Sequence, residues 1–258
     1  MIIGGRLDSF DITVTDVKGS GEASRKDDMF SPRFGVIYKP AENMSLYASY
    51  SESFLPRSGE QFKALSASSA ALDPDVYESS EIGVKVALSD DLSLTAAYFD
   101  SEQTRAARDS ETGETNEIVG LQVDGMELEL KGSVSDKMDI VLGLTKMSGK
   151  TAKGGEPREI PDHMISLFAT NQVSDKLGWS LGLTRQGESA IGNDKPGNVL
   201  PAYTRVDFAA YYMIADDLSV QMNIENLNDT LYFPHSHSTH QASVGEPLNV
   251  RFSIRKTF

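Results

Sequence analysis

The sequence predicts an all-β protein, an antiparallel up-and-down transmembrane β-barrel of which about twelve strands are present. Three observations carry this reading. Apolar and polar residues alternate with a period of two through most of the chain, as they do in strands with one apolar face. One tight-turn pattern, Ser or Ala followed by Asp, then Asp or Lys, then Leu or Met, returns four times. The connections are also asymmetric, short on one rim and long and polar on the other.

Composition sets the limits. The chain has 258 residues, 39% of them hydrophobic, with a mean hydropathy of −0.31. No apolar run reaches the roughly 20 residues that a spanning helix needs. Alternating strands escape that test, because half their residues are polar. Cysteine is absent, which suits an envelope protein without disulfides and also many cytosolic proteins. A net charge of −14 excludes nucleic acid as a partner, since a phosphate backbone needs a basic surface. The opening "MIIGGRLDSF" lacks the basic and apolar regions of a signal peptide.

Taken in order, the strands fall near 1–17, 29–40, 44–56, 75–88, 92–105, 117–134, 138–149, 158–173, 177–187, 199–214, 218–232 and 247–258. The turn pattern sits in "LSDDL" from 88, "VSDKM" from 134, "VSDKL" from 173 and "IADDL" from 214, with a looser copy in "KPAENM" from 39. Successive copies are about 40 residues apart, one hairpin plus its far loop. Each following strand is two-faced. Leu92, Leu94, Ala96 and Tyr98 oppose Ser93, Thr95 and Ala97; Leu177, Trp179, Leu181 and Leu183 oppose Gly178, Ser180, Gly182 and Thr184. Met126, Leu128 and Leu130 oppose Glu127, Glu129 and Lys131. A soluble sandwich with a charged outer face alternates in the same way. The connections decide between the two, because the long ones, 18–28, 57–76, 106–116, 149–160, 187–198 and 233–246, all lie on one rim. In outer-membrane barrels the short turns are periplasmic and the long loops extracellular. The leucines and Trp179 are then expected to face lipid and Gly178, Ser180 and Gly182 the lumen. The last strand, "LNVRFSIRKTF", sets Val250, Phe252, Ile254 and terminal Phe258 on one face.

Several stretches resemble one known family. "SPRFGVIYKPAENMSLYASYSESFLPRSGEQF" (31–62), "YESSEIGVKVALSDDLSLTAAYF" (77–99), "VDGMELELKGSVSDK" (123–137), "LPAYTRVDFAAYY" (200–212) and the closing "NIENLNDTLYFPHSHSTHQASVGEPLNVRFSIRKTF" (223–258) are similar to barrel segments of TonB-dependent siderophore receptors. "FPH" with the later Gly-Glu-Pro turn resembles the catecholate-type branch. The resemblance implies a barrel of about 22 strands around an N-terminal plug domain. Residues 1–258 are thus expected to be the C-terminal portion of such a barrel, without the plug, in a Gram-negative outer membrane. It also implies a ferric siderophore as the transported ligand, no protein-held cofactor or metal, and no enzymatic activity. Further implied partners are outer-membrane lipid, barrel-assembly machinery reached through the Phe258 strand, and TonB, reached only through a plug. The alternative reading is a free-standing twelve-stranded channel or structural barrel.

A ferric catecholate is anionic and aromatic, so cations and rings near the mouth suit it. Arg57, Gln61 and Phe62 in "LPRSGEQF", and Arg105 and Arg108 in "TRAARDS", are the candidates. Against this, loop arginines in so acidic a chain commonly pair with neighbouring Asp or Glu. "HSHSTH" adds His235 and His237 as ligand contacts and, with His240, a metal-binding alternative weighed against solvated loop histidines. His163 is expected to be a strand-rim residue bonded to nearby backbone. Asp162–His163 lacks a nucleophile-motif serine, and Glu127 with Glu129 is too loosely defined for a glycosidase pair.

Overall fold

Backbone pairing turns the period-two alternation into a single curved sheet. The computed structural model describes residues 1–15, 21–56, 72–108, 115–192, 197–239 and 241–258. Its strands are β1 (Ile2–Thr15), β2 (Glu22–Ala41), β3 (Met44–Leu55), β4 (Asp75–Ala87), β5 (Leu92–Arg108), β6 (Thr115–Ser135), β7 (Met138–Thr151), β8 (His163–Gln172), β9 (Leu177–Gln186), β10 (Ser189–Ala190), β11 (Val199–Leu200), β12 (Tyr203–Ala215), β13 (Leu218–Glu225), β14 (His235–Ser238), β15 (Gln241–Ser243) and β16 (Asn249–Lys256). Twelve of them form one antiparallel sheet in the order β1-β2-β3-β4-β5-β6-β7-β8-β9-β12-β13-β16. β10–β11 and β14–β15 are small hairpin pairs outside it.

Register carries the two-facedness across the whole sheet. Val86, Leu94, Leu130, Leu142, Leu167, Leu183 and Val206 oppose one another in succession from β4 to β12. One residue along, Lys85, Thr95, Glu129, Gly143, Ser166, Thr184 and Arg205 form the matching row of the other face. A slip of one residue anywhere would exchange the faces. The short turns help to prevent it. In three of them the repeated Ser accepts a hydrogen bond from a backbone N–H two residues on: Ser89 Oγ from Asp91, Ser135 Oγ from Lys137 and Ser174 Oγ from Lys176, each at 3.4 Å. The recurrent Ser-Asp of the sequence is thus a turn cap repeated around the rim.

The polar face has its own packing device. Tyr47 lies over Gly83, Phe99 over Gly125 and Tyr211 over Gly178, each aromatic directly opposite its glycine in register. A ring laid across the neighbouring strand's glycine shields backbone that no side chain covers.

What the molecule does not have is a conventional core. Among the described residues the buried hydrophobics are Ala169, Ala190, Leu200 and Tyr232, whereas Ile82 and Met126 are 62% and 66% exposed. Of these four, only Ala169 belongs to the twelve-stranded sheet. An apolar surface this large is stable only against another apolar phase.

The expected strand boundaries shift at identifiable residues. β1 and β2 keep pairing as far as Thr15 and Glu22, so much of the expected 18–28 loop is strand. The segment "EASRKDD" shows no apolar alternation and is held by the ladder alone. The expected strand 158–173 starts only at His163, because Pro157 and Pro161 break the ladder before it. The expected 218–232 strand ends at Glu225, where Asn226 turns with φ 52°. Pro201 separates β11 from β12. β1 and β16 do not pair, so the twelve strands do not close on themselves as the free-standing-barrel alternative requires.

Two outcomes follow from this architecture. Gly125→Ala would set a Cβ 2.7 Å from both the Lys146 carbonyl and the Phe99 ring. It should cost about 1–3 kcal/mol in detergent unfolding, whereas Gly4→Ala, with nothing within 4 Å, should change stability by less than about 0.5 kcal/mol. Light scattering should show the chain aggregating in water and staying dispersed in detergent or bilayers, because of its apolar face and open edges.

Candidate binding site at the long-loop rim

Three long connections pack together at one rim of the sheet, those between β7 and β8, between β9 and β12, and between β13 and β16. Glu159 donates its N–H to the Ala190 carbonyl at 2.8 Å, and Arg158 bridges to the same residue, joining the first connection to β10. Glu159 Oε1 accepts from the Ser236 N–H at 2.5 Å, and Arg158 Nη2 donates to the Ser236 carbonyl at 3.5 Å, joining it to β14. Ser189, Ala190, Leu200, Tyr232 and Ser236 are all buried here.

The third connection is anchored by "NLND". Asn226 is 1% exposed and makes three side-chain bonds, donating to the Thr230 and Glu246 carbonyls at 2.9 and 3.0 Å and accepting from Thr230 N–H at 3.0 Å. Its positive φ is one that Asn tolerates better than most residues. Asn228 then extends the ladder past the end of β13. Its Oδ1 accepts from Val206 N–H at 3.0 Å and its Nδ2 donates to the Thr204 carbonyl at 2.8 Å, as a strand partner would. Asp229 Oδ1 accepts the Leu248 N–H at 3.0 Å and sets the entry to β16.

On the polar face beside this knot lies a cation among aromatic rings. Arg205 Nε donates to Asp207 Oδ1 at 2.8 Å and Nη1 to Tyr232 Oη at 3.1 Å. Its guanidinium carbon is 6.0 Å from the Tyr232 ring centroid, and Tyr203 packs against Tyr232 with centroids 4.8 Å apart and the rings tilted by 32°. Tyr203 Oη also donates to Gln186 Oε1 at 3.2 Å. A second cation site tops the β1–β4 side. Arg25 donates through Nε to both oxygens of Asp27 at 2.6 and 2.8 Å, through Nη2 to Asp73 Oδ1 at 3.2 Å and through Nη1 to the Leu72 carbonyl. The Asp27 hydrogen bonds hold this guanidinium above its ordinary pKa despite partial burial.

The residues anticipated from the sequence are distributed unevenly. Arg57, Gln61, Phe62 and His240 lie outside the described residues. Arg105 and Arg108 are at the far end of β5, with backbones opposite Ile118 and Thr115; only their backbones are described. His235 opens β14 and is exposed beside buried Ser236; His237 is in the same strand, where only its backbone is described. The arginines and histidines therefore sit on different connections. Among the described residues no His, Cys, Asp and Glu cluster is arranged to hold a metal. His163 pairs through Nδ1 with Asp162 Oδ1 at 2.9 Å, a carboxylate rather than the expected backbone group. Sequence reasoning passed over Arg205, Tyr203, Tyr232 and Asn226. The signals were present, in Arg-Val-Asp alternation on a polar face and in the turn-forming run "NLND".

With this geometry in hand, the comparisons are unambiguous at family level. The family of TonB dependent receptor-like β-barrels matches residues 1–227, and the chain belongs to it. The family is one of transport receptors, not enzymes. The probable TonB-dependent siderophore receptor PiuA of Acinetobacter baumannii is 27% identical over 271 positions, covering 95% of this chain and 36% of the relative. The ferripyoverdine receptor of Pseudomonas aeruginosa is 28% identical over 283 positions, covering 100% of this chain and 33% of the relative. The chain thus spans about a third of the length of these curated relatives. The PiuA crystal structure superposes with a TM-score of 0.83 at 26% identity, over 99% of this chain and 40% of that one. The ferric-catecholate import receptor Fiu of Escherichia coli superposes with a TM-score of 0.80 at 22% identity, over 98% and 41%, and bears on the fold alone.

Asn226→Ala should destabilise the rim by roughly 2–4 kcal/mol, since it strands buried partners and puts Ala at a positive φ. Limited proteolysis should show faster cleavage within 226–248, with the far-ultraviolet sheet signal unchanged.

Proposed function

We propose that this chain forms barrel wall of an outer-membrane receptor for a ferric siderophore of catecholate type. The observation that carries the reading is the packing of three long connections into one assembly at a single rim, beside a sheet whose two faces are left uncovered. The apolar face is the lipid face, with Trp179 near the short turns in the interfacial layer. The polar face is the lumen wall, the short turns and C-terminus are periplasmic, and the long loops are extracellular. The relatives bear on the ligand only broadly, since one is named for a catecholate and another for pyoverdine.

A ferric catecholate arrives as an aromatic anion. Arg57, Arg105 and Arg108 would supply positive charge to it, and His235 and His237 donors from the β14–β15 hairpin. Gln61 and Phe62 add a hydrogen-bonding group and a ring. Arg205, braced by Asp207 and Tyr232, is the cation at the lumen wall below. Iron stays within the siderophore's own ligands. Import would use energy delivered by TonB through a plug inside the lumen, which these residues do not supply. The exposed Phe252, Ile254 and Phe258 of the last segment are the face offered to barrel-assembly machinery.

The test is binding of radio-iron-loaded catecholate and hydroxamate siderophores to the full chain in liposomes. Preferential catecholate retention is expected, falling about tenfold in R105A/R108A, which removes two charge-assisted contacts. Equal retention of both classes, unchanged by the variant, would overturn the assignment.

A further inference from the structure

The hydrophobic rows of the apolar face end, on three adjacent strands, in cations. Lys146 of β7 stands opposite Met126 of β6 and His163 of β8. Arg185 of β9 stands opposite Ile165, two residues along β8 from His163. Elsewhere in these rows the positions from β3 to β8 are Leu, Ile, Val, Ala, Met126 or Tyr98, and Thr204 of β12 follows Arg185. The register therefore puts Lys146, His163 and Arg185 on the apolar side of the sheet, at the long-loop end of its hydrophobic band. Lys146 is exposed and His163 half-buried. Among the described residues no carboxylate pairs with Lys146 or Arg185; Arg185 Nη1 donates to Thr204 Oγ1 at 3.1 Å. Asp162 takes one nitrogen of His163. Further along the same face the charge turns negative, at Asp100 and Asp124, which accept from Gln122 and Ser148.

Directly adjoining the cations is an open apolar groove of about 730 Å³, with Lys146 and His163 at one end and Ile82, Met126, Leu128 and Ile165 along its walls. Its floor is Ala96, the small residue between Val84 and Leu128 in the register row. A lysine or arginine on a lipid-facing surface is costly except at the headgroup level, where its stem lies along apolar surface and its charge meets anions. A chain with a net charge of −14 nevertheless concentrates cations there.

We propose that this groove binds one membrane lipid, whose phosphorylated headgroup meets Lys146, His163 and Arg185 and whose acyl chains lie along Ile82, Ala96 and Met126. The inference rests on the reading of the apolar face as the lipid face, with the long loops extracellular. It makes the occupant an outer-leaflet lipid with an anionic phosphate.

The test is native mass spectrometry of the full chain, folded in detergent, with three probes: lipid A carrying its phosphates, dephosphorylated lipid A, and inorganic phosphate. Heat-modifiable gel mobility confirms folding of each variant. Retention of phosphorylated lipid A is expected, with about a fivefold loss in K146Q and a further similar loss in K146Q/R185Q, as for single charges at a lipid surface. K85Q, on the polar face, should leave retention unchanged. Equal retention of both lipids would overturn the phosphate site while leaving the lipid face standing. Retention of neither lipid would overturn both readings. Saturation by inorganic phosphate alone, blocking the lipid, would show that the acyl groove plays no part.

Discussion

The structure depends on one constraint: in-register pairing of strands whose side chains alternate with a period of two. Inside a bilayer every backbone N–H and C=O must find a partner within the protein, which antiparallel ladders provide. The same ladders align the leucines of five neighbouring strands, β5 to β9, into a continuous row. Once that register is set, face assignment, the stacking of Tyr47, Phe99 and Tyr211 on glycines, and the place of each loop follow from it. Little of the stability can come from internal burial, because the sheet contributes only Ala169 to the buried hydrophobics among the described residues.

Packing of the ordinary kind is concentrated at the long-loop rim, and there it is polar. Glu159, Ser236, Asn226, Asn228 and Asp229 use side chains to complete hydrogen bonds that a regular ladder would have made. Such a network holds irregular backbone in one arrangement, and removing a member strands the backbone group it bonds. The rim is thus held in one arrangement, while the sheet below supplies a wall with one apolar and one polar side.

Much of the fold was legible in the sequence, because a two-residue period and a capped turn are local properties. The twelve strands, their faces and the short turns could be read from Leu92–Tyr98 or Leu177–Thr184 without neighbours. Strand ends were less legible. Glu22–Asp28 is strand only because β1 pairs with it, and Asn226 ends β13 through contacts reaching 20 residues along the chain. The site was least legible. Charged residues on loops can be found by inspection, but the joining of Arg205 to Tyr232, or of Arg158 and Glu159 to Ser236, is a tertiary fact with no local signature. The cations of Lys146, His163 and Arg185 likewise look scattered until register sets them on adjacent strands.

The most direct test of the central claim uses the absence of native cysteine. Single cysteines at 126, 127, 128 and 129 in β6 and at 144 in β7 would be probed in bilayers with a membrane-impermeant maleimide. The two-faced wall predicts rapid labelling at 127 and 129 and protection at 126, 128 and 144. Equal labelling of neighbouring positions, or protection at 127 and 129 with labelling at 128, would contradict it.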